Sequence, residues 1–345
     1  MEWRTRTRGP ARLEGGPLPP DPPVTTAAAP LDVEQDRHGS ARDGSELHGD
    51  GPHRVRGALR AARIRQWVKN ALVFVAPAAA GVLHHGGVAA RAGGVFAIFC
   101  AAASGVYLLN DSMDAVADRG HPDKRHRPVA AGTLPVPTAV AIGALLLAGA
   151  LAGSWLLAGW QLMLVIGLYA GINVAYTLGL KREAVIELAA VASGFVLRAI
   201  AGGVATHVPL SNWFLVVTSF GALFVVTGKR AAEHRLLGDD RMAHRPVLGR
   251  YTAEFLHSTL ILTASATVTA YCLWAFDRTG LADHAGHHLI WIQLSVVPVV
   301  IGVLHVLRLL DAGEGGAPED LVLRDHTVQV LGLAWVLLFA LGLYG

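Results

Sequence analysis

Charge is scarce in this 345-residue chain: Asp, Glu, Lys and Arg together make up 16% of it, against 52% hydrophobic residues. Mean hydropathy is +0.42. An ordinary soluble domain carries about a quarter charged residues, so the composition excludes one and predicts a polytopic membrane protein. Cysteine is nearly absent as well. Cys100 and Cys272 both lie inside apolar runs without metal-ligand spacing, which excludes a disulfide framework or a zinc site and leaves packing as their role. No large excess of either charge exists. A formal net charge of +3 gives no basis for a nucleic-acid partner, and its placement in loops matters more than its size. The amino terminus lacks the early apolar stretch of a signal peptide. Residues 1–56 instead hold eight of the seventeen prolines, mixed with Gly, Arg, Asp and His. That composition predicts a disordered tail, either a spacer or a regulatory, partner-binding segment.

What is present in quantity is apolar sequence of membrane-spanning length. Runs near 69–85, 90–109, 135–157, 160–178, 185–205, 211–227, 253–276, 288–307 and 327–344 predict an all-α polytopic bundle of about nine transmembrane helices. Basic residues concentrate in alternate connections: Arg60, Arg63, Arg65 and Lys69 before the first run, Arg119 to Arg127, Lys181 and Arg182, Lys229 to Arg250, then Arg308 and Arg324. The opposite loops offer little beyond Arg91, His207 and Arg278. The positive-inside rule therefore places the amino terminus and every charged loop in the cytoplasm, on a multi-pass plasma-membrane protein whose active site faces that side.

Chemistry concentrates where the second run meets water, at Asn110, Asp111, Asp114 and Asp118. If the helix continues at about 100° per residue, Asp111, Asp114 and Asp118 fall close to one stripe, with Asn110 and Asp114 one turn apart. Carboxylates are costly there unless something binds them. Mg²⁺ accepts one or two protein carboxylates and completes its shell with water and phosphate oxygens, so the stripe reads as a mount for Mg²⁺, or Mn²⁺ in its place, and a diphosphate substrate. A capped, solvated helix end is the alternative. The loop that follows carries Lys124, Arg125 and Arg127, a clamp for a departing pyrophosphate or an anchor to anionic lipid.

Further candidates lie at the same membrane level. Tyr176 and Lys181 can grip a phosphate or serve as interfacial anchors. Glu187 and Arg198, eleven residues apart, return to nearly the same helix face, as a functional ionisable pair or a structural one. Lys229 and Arg230 open a basic cluster that would ordinarily be a solvated face. Gln66 and Lys69 flank Trp67 before the first run, where a lipid headgroup phosphate can be met. Asp239 and Asp240 receive no metal assignment. The glycine-rich stretch from Gly313 to Asp325 predicts a tight turn, a lid or a simple connector.

These motifs resemble the UbiA-type intramembrane prenyltransferase superfamily, whose hallmark is Asn-Asp-x-x-Asp-x-x-x-Asp after the second helix followed by a basic, Pro-containing loop. Asn110, Asp111, Asp114 and Asp118, with Lys124, Arg125, Arg127, Pro128 and Gly132, match it. Within the superfamily, the segments Arg65 to Asn70, Gly179 to Lys181, Arg198 to Gly203, Gly228 to Arg230 and Gly313 to Glu319 are similar to the decaprenyl-phosphate phosphoribosyltransferase branch. The resemblance covers about residues 58 to 345 and implies that 57–345 is a UbiA-like transmembrane catalytic domain. It implies an enzyme that moves 5-phosphoribose from phosphoribosyl pyrophosphate to decaprenyl (polyprenyl) phosphate, a glycosyltransferase reaction feeding cell-wall arabinan synthesis. In that picture Asn110, Asp111, Asp114 and Asp118 hold the metal and Lys124, Arg125 and Arg127 stabilise the leaving group. Lys69 and Arg198 meet the acceptor headgroup, Gln66 and Asn110 also contact substrate, and Tyr176, Lys181, Lys229 and Arg230 contact the ribose 5-phosphate. The chain departs from prenyl-transferring relatives in lacking a second aspartate-rich motif, where Lys229, Arg230 and Glu233 stand instead. It also carries Glu187 where the branch would have Asp, which puts a metal role for that residue in doubt. Two other readings stay open: a prenyltransferase using a prenyl diphosphate and an aromatic acceptor, and a non-catalytic carrier of lipid phosphates. Homo-oligomerisation is left open too.

Overall fold

The computed structural model describes residues 57, 60–122, 124–237, 246–277, 289–313, 321 and 324–344. The tail expected over 1–56, Asp239, Asp240 and most of the turn expected over 313–325 lie outside the described residues. The chain divides into two units, Met1–His48 and Gly49–Gly345, and every described residue belongs to the second.

Seven helices carry the fold: α1 (Gly86–Met113), α2 (Val136–Leu178), α3 (Ile186–Thr206), α4 (Asn212–Leu237), α5 (Ala253–Asp277), α6 (Val296–Asp311) and α7 (His326–Tyr344). Each is long and apolar enough to cross a membrane, α6 when joined to the short helix Leu289–Leu294 before it. The 43-residue α2 is two crossings in one. Ala158 (φ −148°, ψ 20°) and Gly159 (φ 74°, ψ −162°) leave helical geometry, and the side chains on either side of the break share one apolar cluster. Glycine suits that break because a positive φ carries no Cβ penalty there. The expected pair of runs at 135–157 and 160–178 is thus what forms, giving eight spanning segments among the described residues.

The ninth expected segment, 69–85, takes another form: a 3-10 helix over Ile64–Phe74, then a short α-helix over Val75–Ala79. Pro77 removes a backbone donor from that short helix, and Gly81, at φ 73°, lies just beyond its end. Three helix starts are capped by a side-chain acceptor. Ser211 Oγ accepts the Phe214 backbone N–H at 3.1 Å, Thr252 Oγ1 that of Phe255 at 3.1 Å and Asp325 Oδ1 that of Val328 at 2.8 Å.

Helix α3 is the hub. Leu197 and Ala201 pack with Val73, Phe99, Ile166 and Tyr169, while Leu188 and Ala192 pack with Phe224, Leu256, Leu260 and Leu310. In lipid the apolar effect does not distinguish a helix neighbour from an acyl chain, so close approach through small residues holds helices together. At the α1–α2 crossing a Cβ on Gly105 would stand 2.8 Å from the Gly143 carbonyl oxygen, and one on Gly143 3.1 Å from that of Gly105. Gly202 of α3 lies so near the Val73 carbonyl that a Cβ would overlap it. That contact seats the 3-10 segment against the bundle, beside the end of α1 where the acids sit.

Candidate active site

Helix α1 does not run on smoothly through the acidic motif. It ends at Met113, and Asp114 takes φ −88°, ψ 0° before a five-residue helix, Ala115–Arg119, resumes. The i→i−4 bonds nevertheless continue, Asp114 N–H to the Asn110 carbonyl at 2.9 Å and Asp118 N–H to that of Asp114 at 2.8 Å, so the acids keep their helical order. Asp111 and Asp118, 1% and 4% exposed, turn to one side, where Arg127 Nη1 donates to Asp111 Oδ1 at 3.2 Å and to Asp118 Oδ2 at 2.8 Å. Asp114, more open, takes the ammonium of Lys181 at 3.0 and 3.1 Å on its two oxygens. Asn110 Oδ1 accepts from the Thr177 hydroxyl at 2.7 Å.

A second guanidinium completes the Asp111 side. Arg63 Nη2 donates to Asp111 Oδ1 at 2.6 Å, and the Arg63 guanidinium lies 4.7 Å from the centre of the Tyr107 ring. Its backbone is left-handed (φ 52°, ψ 52°), immediately before the 3-10 helix. A non-glycine residue in that region costs on the order of 1–3 kcal/mol and is retained where the surroundings enforce it. Here the segment is pinned on both sides: Ser104 Oγ accepts from Trp67 Nε1 at 3.1 Å and donates to the Ala62 carbonyl at 3.0 Å. Sequence reading counted Arg63 only toward membrane orientation. A long-range ion pair across 48 residues leaves no local pattern to detect.

Among the described residues no three His, Cys, Asp or Glu side chains converge into one cluster. The donor chemistry at Asp111 and Asp118 nevertheless fits a divalent cation. Two buried carboxylate oxygens already converge on one cationic nitrogen, that of Arg127, and hard oxygen donors of this kind are what Mg²⁺ and Mn²⁺ take. Of the four residues expected to hold the metal, Asp111 and Asp118 share one position on Arg127, while Asp114 meets Lys181 and Asn110 meets Thr177. Of the expected clamp, Arg127 reaches the acids. Lys124 and Arg125 lie in a 3-10 turn, Lys124 half-buried with its backbone N–H on His121 and Arg125 exposed against His126.

The pairing of Glu187 with Arg198, open to that helical spacing, does not form. Fully buried Glu187 pairs with Arg230 through two bonds, Nε at 2.6 Å and Nη2 at 3.0 Å, and Arg230 adds Glu233 at 2.8 Å. At 3% exposure, Arg230 is buried between two carboxylates. Tyr251 closes this network: its hydroxyl donates to Glu187 Oε1 at 3.4 Å and accepts the Val185 backbone N–H at 3.1 Å. Burial first, and the neighbouring Glu187 charge next among the raising causes, push that phenol up to about 12. Val185 itself is β-branched at φ 68°, a strained junction between the Lys181 turn and α3.

Arg198 lies deeper, 6% exposed, and joins α3 to the amino-terminal segment rather than to an acid. Its Nε donates to Asn70 Oδ1 at 2.8 Å, Nη1 to the Gly194 carbonyl at 2.6 Å and Nη2 to the Tyr169 hydroxyl at 3.1 Å, while Phe99 and Tyr169 face the guanidinium with their rings. Gln66, Lys69, Tyr176 and Lys229 are all half-buried. Near the amino-terminal segment an apolar cavity of about 470 Å³ is lined by Phe74, Phe214, Tyr271, Trp274, Trp335 and Phe339 among others.

A multi-pass α-helical membrane bundle with buried acids and guanidinium groups gathered at the end of one helix is the class these features define. The chain belongs to the UbiA prenyltransferase family, whose profile matches residues 71–328. It is 44% identical over 286 residues to the decaprenyl-phosphate phosphoribosyltransferase of Mycobacterium tuberculosis, covering 82% of this chain and 92% of that protein. With the protein of the same name from Corynebacterium glutamicum it shares 42% identity over 291 residues, 84% of this chain and 87% of the relative. Its fold is similar to that of a UbiA homolog from Archaeoglobus fulgidus solved with GPP and Mg²⁺, with a TM-score of 0.59, 17% identity and coverage of 83% and 98% of the two chains.

Proposed function

We propose that this chain transfers 5-phosphoribose from phosphoribosyl pyrophosphate to decaprenyl phosphate with release of pyrophosphate, at the cytoplasmic face of the plasma membrane, and that the product feeds cell-wall arabinan. The observation that carries this reading is identity of 42–44% with relatives of that activity across more than four-fifths of the chain. The geometry supports it. Mg²⁺, or Mn²⁺ in its place, held by Asp111 and Asp118 would neutralise charge on the donor's pyrophosphate. Arg127, freed from those carboxylates by the cation, would take the leaving group's oxygens, and guanidinium groups match phosphate geometry through two parallel donors. Lys181 sits on Asp114, ready for the donor's second phosphate. The acceptor's phosphate oxygen attacks ribose C1 as the C1–pyrophosphate bond breaks, inverting that centre. Because the acceptor is already an anion, no strong general base is required. The aromatic-lined cavity suits part of its polyprenyl tail.

Purified protein in detergent, given Mg²⁺, phosphoribosyl pyrophosphate and decaprenyl phosphate, is expected to release pyrophosphate and form a phosphoribosyl lipid identified by mass spectrometry. Turnover only with a prenyl diphosphate and an aromatic acid would replace this reading with the prenyltransferase one. Turnover with neither pair would leave a carrier.

A further inference from the structure

We infer that Tyr251 is a positioning residue for the transfer: its hydroxyl holds the strained turn at Val185 and thereby keeps the Lys181 ammonium beside Asp114, in place for the donor's second phosphate. The inference rests on the reading above that gives Lys181 that phosphate.

Lys181 stands in the short link, 179–185, between α2 and α3. Where that link is pinned decides whether its ammonium reaches Asp114. At the near end Thr177 donates to Asn110 Oδ1 at 2.7 Å, and the Gly179 N–H bonds the Ala175 carbonyl at 3.0 Å. At the far end Val185 takes φ 68°, ψ −50°, and the Ile186 N–H reaches back to the Ala184 carbonyl at 2.8 Å. Those angles and that bond across one residue make a γ-turn of the rare, strained hand. A β-branched residue adds to the cost. The Val185 residue is 54% exposed, so burial of its own side chain does not enforce the turn, and the hold has to come from outside.

Tyr251 supplies it. Its hydroxyl accepts the Val185 N–H at 3.1 Å and donates to Glu187 Oε1 at 3.4 Å, so one oxygen bridges the turn and the first residues of α3. The phenol is itself fixed: Tyr251 is 4% exposed, its ring stacks on that of Phe255 with centres 5.8 Å apart, and its carbonyl pairs with His234 Nε2 at 3.1 Å. The Lys181 link is thereby tied to α4 and α5. A second tie, Arg250 to Glu183 at 2.9 Å, is exposed at both ends and contributes little. Without the hydroxyl, nothing offsets the strain at Val185; the link relaxes toward an ordinary backbone, and Lys181 spends part of its time away from Asp114.

The first test needs no turnover: lysines of the full chain in detergent are labelled with acetic anhydride and followed one by one by mass spectrometry. Tyr251→Phe keeps the ring and its stacking. It is expected to speed labelling of Lys181 about two- to tenfold, the range of one hydrogen bond, while Lys124 in the neighbouring loop labels as in wild type. Val185→Gly lowers the strain, because glycine adopts a positive φ without a Cβ penalty, so in that background Tyr251→Phe should change Lys181 little. Unchanged Lys181 labelling in Tyr251→Phe, faster labelling of both lysines, or an effect just as large with Val185→Gly present overturns the proposal and leaves Tyr251 a packing residue. Turnover then places the effect on the donor. Tyr251→Phe should raise KM for phosphoribosyl pyrophosphate about two- to tenfold, with kcat and the KM for decaprenyl phosphate near wild type, and should add nothing in a Lys181→Gln background. An effect of equal size in that background refutes the route through Lys181. Lys181 released in Tyr251→Phe, with no turnover by wild type, retains the hold of Tyr251 on Lys181 and removes the transferase reading.

Discussion

Arg127 and Arg125 are two residues apart and chemically identical, yet the fold gives them opposite surroundings: one donates to two buried aspartates, the other lies exposed against a histidine. Arg127→Gln is expected to lower kcat by about 10²–10³, the usual cost of losing a main electrostatic contact at developing charge, while Arg125→Gln stays near wild type. Steady-state pyrophosphate release on both variants measures the contrast. Glu187 belongs to the interior in a different sense. Glu187→Gln leaves Arg230 with one partly exposed carboxylate, and breaking a buried pair in this way costs about 3–5 kcal/mol. Thermal unfolding in detergent should show the loss, and Glu187→Leu combined with Arg230→Met should recover part of it, since an apolar pair of similar volume leaves no charge stranded. The motif made the acids legible in sequence at this scale. Their pairing with Arg63 and Lys181, 48 and 67 residues distant from them, was not, because nothing in local spacing encodes a contact made by packing.

Among the elements, the 3-10 segment Ile64–Phe74 departs furthest from expectation. Hydropathy called for a first crossing at 69–85, and hydropathy cannot register the turn at Gly81 that follows Ala79 or Val73 pressed against Gly202. Gly202→Ala is expected to destabilise the protein by about 1–3 kcal/mol, as overpacking does, and to release the segment that carries Arg63. A lower unfolding temperature accompanied by faster proteolysis near residues 60–74 would show it. Asp114 makes the same point at the end of α1. At about 100° per residue Asp111 and Asp118 nearly coincide while Asp114 stands to one side, and only the packing of neighbouring segments brings Lys181 to Asp114 and Arg127 to the other two.

For the molecule as a whole, the reading requires that turnover depend on a divalent cation. Chelation with EDTA should abolish pyrophosphate release, and excess Mg²⁺ or Mn²⁺ should restore it; full activity in the chelated enzyme would remove the cation from the mechanism. Composition and apolar run lengths alone determined that this is a membrane-embedded helical bundle, because lipid leaves few ways to satisfy a backbone and a spanning helix must be written as an unbroken apolar run. The acidic motif likewise announced where chemistry sits, since carboxylates are expensive at such a depth. Which cation meets which carboxylate was decided only in three dimensions. Ion pairing is fixed by the rotation of each helix and the close approach of glycines between them, as when Glu187 met Arg230 on a neighbouring helix instead of Arg198 on its own.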